Sequence, residues 1–341
     1  MRPSPRNARR SVIVVAALLA VATLVWAVTM FTGTYRIGAG QVLDVLTGGG
    51  TATDHFIVVD QRLPRVTAAL LVGAALGVSG ALFQSLSRNP LGSPDLIGFT
   101  SGSATGALVI LLAAGGTSLG IGAGTLLGGL ATAVLVYLFA AARGVTGNRL
   151  ILVGIAVGAM LASVNDYLIT RADLESAEAA KAWLYGSLNI VAWPQVTPLA
   201  AALIPLLPLA LAIARPLRIM EMGDDTAAAL GVEVGRTRRR ALGIGIALTG
   251  VAIMVAGPIG FLALAAPQLA RRLTRAPGLT VLPTAVLGAV LLATADLAAQ
   301  RVLAPFQIPV GLVTGAIGGV YLLAHLARTR RFGIDTRRGH I

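Results

Sequence analysis

The chain has 341 residues, 56% of them hydrophobic and only 12% charged, with a mean hydropathy of +0.82 and a formal net charge of +13. A soluble domain carries about twice that share of charge, so a soluble enzyme or a nucleic-acid binder fits poorly, and the basic excess is read as membrane topology. Forty-one glycines suit close helix packing in lipid, and the lack of cysteine excludes disulfides.

A crossing of the hydrocarbon core takes ~20 apolar residues. In chain order the runs of that length are Ser11–Phe31, Val66–Leu86, Leu96–Ala114, Ile121–Ala142, Leu150–Ile169, Val196–Ala214, Ala241–Ala270, Leu279–Ala299 and Val310–Ala327. The first is read as a span rather than a cleaved leader, because it outruns an h-region and has no small-x-small cleavage site. Glycines at small-xxx-small spacing recur along the runs: Gly73/Gly77, Gly98/Gly102, Gly102/Gly106, Gly124/Gly128, Gly154/Gly158, Gly311/Gly315 and Gly315/Gly319. They predict a tightly packed bundle and mark no single site. Serines such as Ser79, Ser85 and Ser87 have no His and acid beside them and are expected to bond locally within helices. Asp166 and Asp296, near the ends of their runs, are read as solvated or paired carboxylates ahead of any proton route.

Between the sixth and seventh runs lies a polar island, Arg215–Arg240. Asp224 or Asp225 can cap a helix N-terminus, Thr226–Leu230 are good helix residues, and Gly231 stands where a left-handed residue ends a helix. A second short helix then carries Arg236–Arg240 into the next run. Spacing alone leaves open a compact helix pair that receives force from a soluble motor or an ordinary charged loop.

The run Ala241–Ala270 would be about 45 Å long as one helix, and it contains Gly257-Pro258 and Pro267. Folded back as two partial crossings, it brings the count to ten spans with both termini on one side. Twenty-one of the 27 cationic residues then share that side, and only Arg36, Arg62, Arg65, Arg171, Lys181 and Arg301 face the other. The asymmetry makes the side of the termini cytoplasmic.

The one lysine, Lys181, lies in EAAKAWL, so no P-loop can form and the chain does not hydrolyse ATP by that route. His55, His325 and His340 are too scattered for a zinc site, and no cofactor is expected. The runs carry no ladder of buried acids, which weakens an ion-coupled secondary carrier.

Several segments line up, in order, with one family. Arg62-Leu63-Pro64-Arg65 with the following ALLVGAALGVSGALFQSLSRNPLGSPDLIG, Glu221–Val232 (EMGDDTAAALGV), Ala256–Leu273 (AGPIGFLALAAPQLARRL), Ala295–Gln300 (ADLAAQ) and Pro305–Gly311 (PFQIPVG) resemble the signatures of the iron-siderophore and cobalamin ABC importer permeases. NPLGSPD, EMGDDTA, ADLAAQ and GGVYLL are most similar to the ferric-enterobactin branch.

The resemblance implies an all-α, ten-helix type II importer fold as a single domain over 1–341. Its cytoplasmic parts are a basic N-terminus (1–10), coupling helices (215–240) and a basic C-terminal segment (328–341). It implies a second permease subunit, a paralogue or a second copy, and two cytoplasmic ATPases that use ATP and magnesium. An extracytoplasmic binding protein then delivers a ferric siderophore, with cobalamin or heme as alternative cargo. The setting is the bacterial cytoplasmic membrane. Arg62 and Arg65 would dock acidic residues of the binding protein, although spacing also allows them to anchor a helix end at the headgroups. Gly223, Asp224, Asp225, Ala229, Leu230 and Gly231 would meet the ATPase. Asn89, Pro90, Leu91, Gly147 and Asn148 would line the cytoplasmic gate, although Asn-Pro is also a plain turn signal. Gln268, Gln300 and Gln307 depart from the histidine, arginine and glutamate of many relatives, so the roles of those residues do not carry over.

Overall fold

A computed structural model of the chain describes residues 5–33, 35, 37–114, 117–141, 147–304 and 306–320. The segment 328–341, Arg143, His325, His340 and the last residues of GGVYLL lie outside the described residues.

Every regular element among the described residues is helical. The order begins with α1 (Pro5–Phe31), the short α2 (Ala39–Leu46) and α3 (Ala52–His55), which continues through a π-helical stretch, Phe56–Arg62, into α4 (Leu63–Ser87). Next come α5 (Phe99–Ala114), α6 (Ser118–Ala141), α7 (Gly147–Arg171), α8 (Leu174–Leu184) and α9 (Trp193–Met220). The described residues end with α10 (Asp224–Ala229), α11 (Val234–Ala256), α12 (Leu262–Thr274), α13 (Val281–Arg301) and α14 (Val310–Val320). Seven of these helical segments are long and apolar enough to cross a membrane, and Phe99–Leu112 and Val310–Val320 are shorter apolar helices.

The long seventh run breaks as its composition demands, but not into two partial crossings. The 23-residue α11 is a full-length crossing, and the 13-residue α12 returns. The break follows α11 directly because Gly257 takes φ 67°, a left-handed value, and Pro258 has no N–H to continue the ladder. Phe261, at φ 65°, then turns the chain into α12. The broken segment is held by the loop after α8, where the Ser187 N–H donates to the Ala256 carbonyl at 2.8 Å.

Helix α4 is the axis of the bundle. Eighteen of its 25 residues are buried, against α13, α11, α12 and α9. Water drives little helix association in lipid, so packing must come from close backbone contact, which small residues permit. A Cβ on Gly73 would lie 2.8 Å from the carbonyl carbon of Gly288 and 2.9 Å from Ala289 Cα, and a Cβ on Gly77 would lie 2.9 Å from the Thr284 oxygen. Likewise Gly102 and Gly106 of α5 meet Gly124 and Gly128 of α6 backbone to backbone. By contrast a Cβ on Gly315 or Gly319 would meet nothing within 4 Å, so that pair makes no close contact among the described residues.

Ser79 does not bond only within its own helix. It donates to the Gly245 carbonyl of α11 at 2.8 Å and pairs with Thr249 at 2.7 Å, because Gly245 has no side chain to hold the helices apart. Ser87 does bond locally, to the Phe83 carbonyl at 2.8 Å. The flanks of the bundle are apolar and exposed, as at Leu127, Leu138 and Phe139 of α6 and Leu152 and Met160 of α7. Such faces suit lipid or a second membrane subunit.

Candidate functional site

The two ends of α4 carry two polar clusters. At its start, Pro64 lacks the N–H that an α-turn would give to the Asp60 carbonyl, and its ring crowds that carbonyl. Widening the preceding turns into a π-helix accommodates it. The resulting register turns both arginines of the RLPR motif inward, each only 8% exposed.

Arg62 donates from Nη1 to the Met30 carbonyl at 2.5 Å and from Nη2 to the Tyr35 carbonyl at 2.6 Å. It thereby satisfies one carbonyl orphaned where α1 ends and one in the loop that follows. Gly33 leaves room for it, since a Cβ there would sit 2.8 Å from the guanidinium carbon. Trp193 pins the start of α9 to the same region, with Nε1 donating to the Val59 carbonyl at 2.9 Å.

Arg65 has the densest set of partners in this region. Its Nε and Nη2 donate to Asp296 Oδ2 and Oδ1, both at 2.9 Å, a bidentate buried ion pair. Nη1 donates to Gln307 Oε1 at 2.7 Å, and Nη2 also donates to Asn189 Oδ1 at 2.8 Å. Gln300 Nε2 holds Asp296 Oδ2 at 2.8 Å. Asp296 is therefore a paired carboxylate, and Asp166 an exposed one. Sequence reading treated Gln300 and Gln307 only as departures from a pattern and passed over Asn189. The i, i+4 spacing of Asp296 and Gln300 on α13 was the one local signal available.

At the other end of α4, Arg88 takes a left-handed conformation (φ 50°) and ends the helix. The Asn89 N–H returns to the Gln84 carbonyl at 3.2 Å, Leu91 N–H donates to Asn89 Oδ1 at 2.9 Å, and Gly92 N–H donates to the Asn89 carbonyl at 2.9 Å. This Asx-type turn is tied to α12: Gln268 Nε2 donates to the Pro90 carbonyl at 2.7 Å, and Arg271 Nη2 donates to Gln84 Oε1 at 2.5 Å. Gly147 and Asn148 open α7, and the side chain of Asn148 lies outside the described residues. The candidate gate residues 89–91 thus meet α12 through Gln268, which sequence reading had set aside.

The island folds as α10 followed directly by α11. Gly231 has φ 80°, and its Schellman-type closure runs from the Val232 N–H to the Ala227 carbonyl at 2.9 Å. Two details differ from expectation. Gly223, at φ 117°, is the N-cap without any side-chain cap, so neither aspartate caps the helix. And Arg236–Arg240 lie in the first turns of α11 itself, not in a separate short helix, because no breaker follows Val234.

Asp224 turns back to the chain, accepting from Arg238 Nη2 at 2.7 Å and facing Arg88 at 3.7 Å. Asp225, Ala229, Leu230 and Gly231 stay exposed, with Leu230 at 62% and neighbouring Met222 at 58%. A small apolar surface rimmed by charge is thereby presented beyond the spans. Among the described residues no group of three His, Asp or Glu side chains can hold a metal ion. The arrangement positions charges and surfaces.

Residues 14–328 match the FecCD transport family. The chain is 44% identical over 300 residues to the ferric enterobactin transport system permease protein FepG of Escherichia coli (strain K12), covering 88% of this chain and 91% of that one. It is 34% identical to the iron(3+)-hydroxamate import system permease protein FhuG of Bacillus subtilis (strain 168), covering 92% and 96%. A solved structure described as an inward-facing conformation of a metal-chelate type ABC transporter superposes with a TM-score of 0.82 at 26% identity, over 92% of this chain and 98% of that one.

Proposed function

The chain belongs to the FecCD transport family, and on that ground we propose that it is the membrane-spanning permease of an ATP-driven importer for a ferric siderophore of catecholate type. The observation that carries this reading is the 44% identity to an enterobactin permease along nearly the whole of both chains. The cargo passes through unchanged.

In this reading the seven long helices, with α5, α12 and α14, make ten crossings with both termini in the cytoplasm. The positive-inside count supports that orientation. The Arg88 end of α4 is then cytoplasmic and the Arg65 end faces outward. Asp225, Ala229, Leu230 and Gly231 seat α10 against an ATPase subunit that binds ATP and magnesium, while Gly223 and Asp224 join α10 to this chain. Closure of two ATPases moves the helices as rigid bodies and works the gate at residues 89–91, beside Gly147 and Asn148. The exposed apolar flanks suit a paralogous second permease and lipid. An acidic binding protein docks at the Arg62–Arg65 end, where guanidinium recognises carboxylate.

The test is uptake in proteoliposomes holding the whole transporter. Ferric catecholate should accumulate with ATP inside, stop with vanadate and survive collapse of the proton gradient. Accumulation that follows the gradient without ATP overturns the importer reading. Transport of a ferric hydroxamate but not a catecholate overturns the cargo.

A further inference from the structure

We propose that Asn189 and Gln307 are exchangeable caps on Arg65, and that the edge they cover seats one carboxylate of the binding protein. The proposal rests on the importer reading above and adds how its docking site is kept when empty.

A guanidinium is a planar fork of five N–H donors. In Arg65 the Nε side of the fork is taken by Asp296, which is 2% exposed and itself held by Gln300. That buried carboxylate fixes the plane of the fork and aims its other edge, Nη1 and Nη2, toward the loops. There the oxygens of Gln307 and Asn189 sit at 2.7 and 2.8 Å on the two terminal nitrogens. Two acceptor oxygens on the two prongs are what a bidentate carboxylate would supply. Here they come instead from two neutral amides on separate loops.

Both capping residues are exposed, whereas Arg65 beneath them is buried. Asn189 lies in the turn before α9, and Gln307 in the stretch before α14. Each can swing into water and keep its own hydrogen bonds, so their release leaves no buried polar group without a partner. An ionised carboxylate adds charge attraction to its two parallel bonds with guanidinium, which neutral amide oxygens cannot supply, so an incoming Asp or Glu displaces the amides. Undocked, the caps keep the buried cation satisfied. They also lower its affinity for stray anions, since any ligand must first displace them.

The experiment uses the complete transporter with its ATPases in lipid nanodiscs, titrated with its chelate-free binding protein. Asn189→Ala and Gln307→Ala should each tighten docking about threefold, and the double variant about tenfold, since one competing hydrogen bond is removed per step. The gain should shrink as salt rises. Arg65→Lys, which keeps the charge but has no fork, should weaken docking. Unchanged or weaker docking in the double variant, with Arg65→Lys still harmful, overturns the caps and leaves the docking site standing. If Arg65→Lys also has no effect, the docking reading itself fails. Tighter binding of ferric chelate alone, without the protein, would assign the edge to cargo and overturn the proposal. Co-purification of the ATPases with each variant confirms assembly.

Discussion

Adding one methyl group at Gly73 should destabilise this protein, although the same change in a free helix would stabilise it. An alanine Cβ at position 73 would lie 2.8 Å from the carbonyl carbon of Gly288 and 2.9 Å from Ala289 Cα, with the Gly288 oxygen closer still. Carbon atoms in contact prefer about 3.5–4.0 Å, so α4 and α13 must separate by close to an ångström. All three obstacles are backbone, and neither the 25-residue α4 nor the 21-residue α13 has a free end at that point. Overpacking of this kind costs about 1–3 kcal/mol, against about 1 kcal/mol gained when alanine replaces glycine in a helix. The net loss is up to about 2 kcal/mol, a shift of up to about 3 °C in melting for a chain of this size. Gly243→Ala in α11 is the control, since a Cβ there meets nothing within 4 Å and only the helix gain remains. Thermal unfolding in detergent, followed by size-exclusion fluorescence, reads both. If Gly73→Ala melts above the parent by as much as Gly243→Ala does, the close approach of α4 and α13 is wrong.

Other expected outcomes follow from the clusters. Asp296→Leu strands the buried Arg65 guanidinium and should cost about 3–5 kcal/mol, while the double change Arg65→Leu/Asp296→Leu should recover most of it, both seen in thermal melting. Trp193→Phe removes one hydrogen bond, to Val59, and should cost about 1 kcal/mol; no change in melting would show that bond to be idle. Asp224→Ala breaks part-exposed pairs worth under about 1 kcal/mol, so melting should barely move. If it falls by many degrees, Asp224 holds more than these pairs. Ala229→Trp on the exposed side of α10 should likewise leave melting alone but reduce ATPase co-purification at least tenfold, and full retention would remove α10 from that interface.

Much of the architecture could be read from local pattern. Among the described residues the apolar runs fall on helices, the break at Gly257-Pro258 within the longest falls where a left-handed glycine and a missing N–H must interrupt the ladder, and Gly231 ends α10 as its position suggested. Helix length, apolar periodicity and backbone propensity are properties of neighbours in sequence, so they survive without a fold. The end of α10 followed from one glycine. Its start did not, because an aspartate next to an N-cap can cap or pair, and Arg238 and Arg88 decided for pairing.

The partners of Arg65 lie 124, 231 and 242 residues away along the chain, beyond the reach of any local rule. Its residue type announced a cation that needs an acid. Only the packing of α4 against α13 brought Asp296 to it, and only the loops before α9 and α14 added the two amides. The chain's composition therefore determined a membrane-embedded helical bundle, and the order of its motifs carried the resemblance to its family. Tertiary contact decided which arginines are buried, which aspartate turns inward, and which glycines are in contact, because an unpaired charge in a low-dielectric interior takes whichever partner the fold brings near.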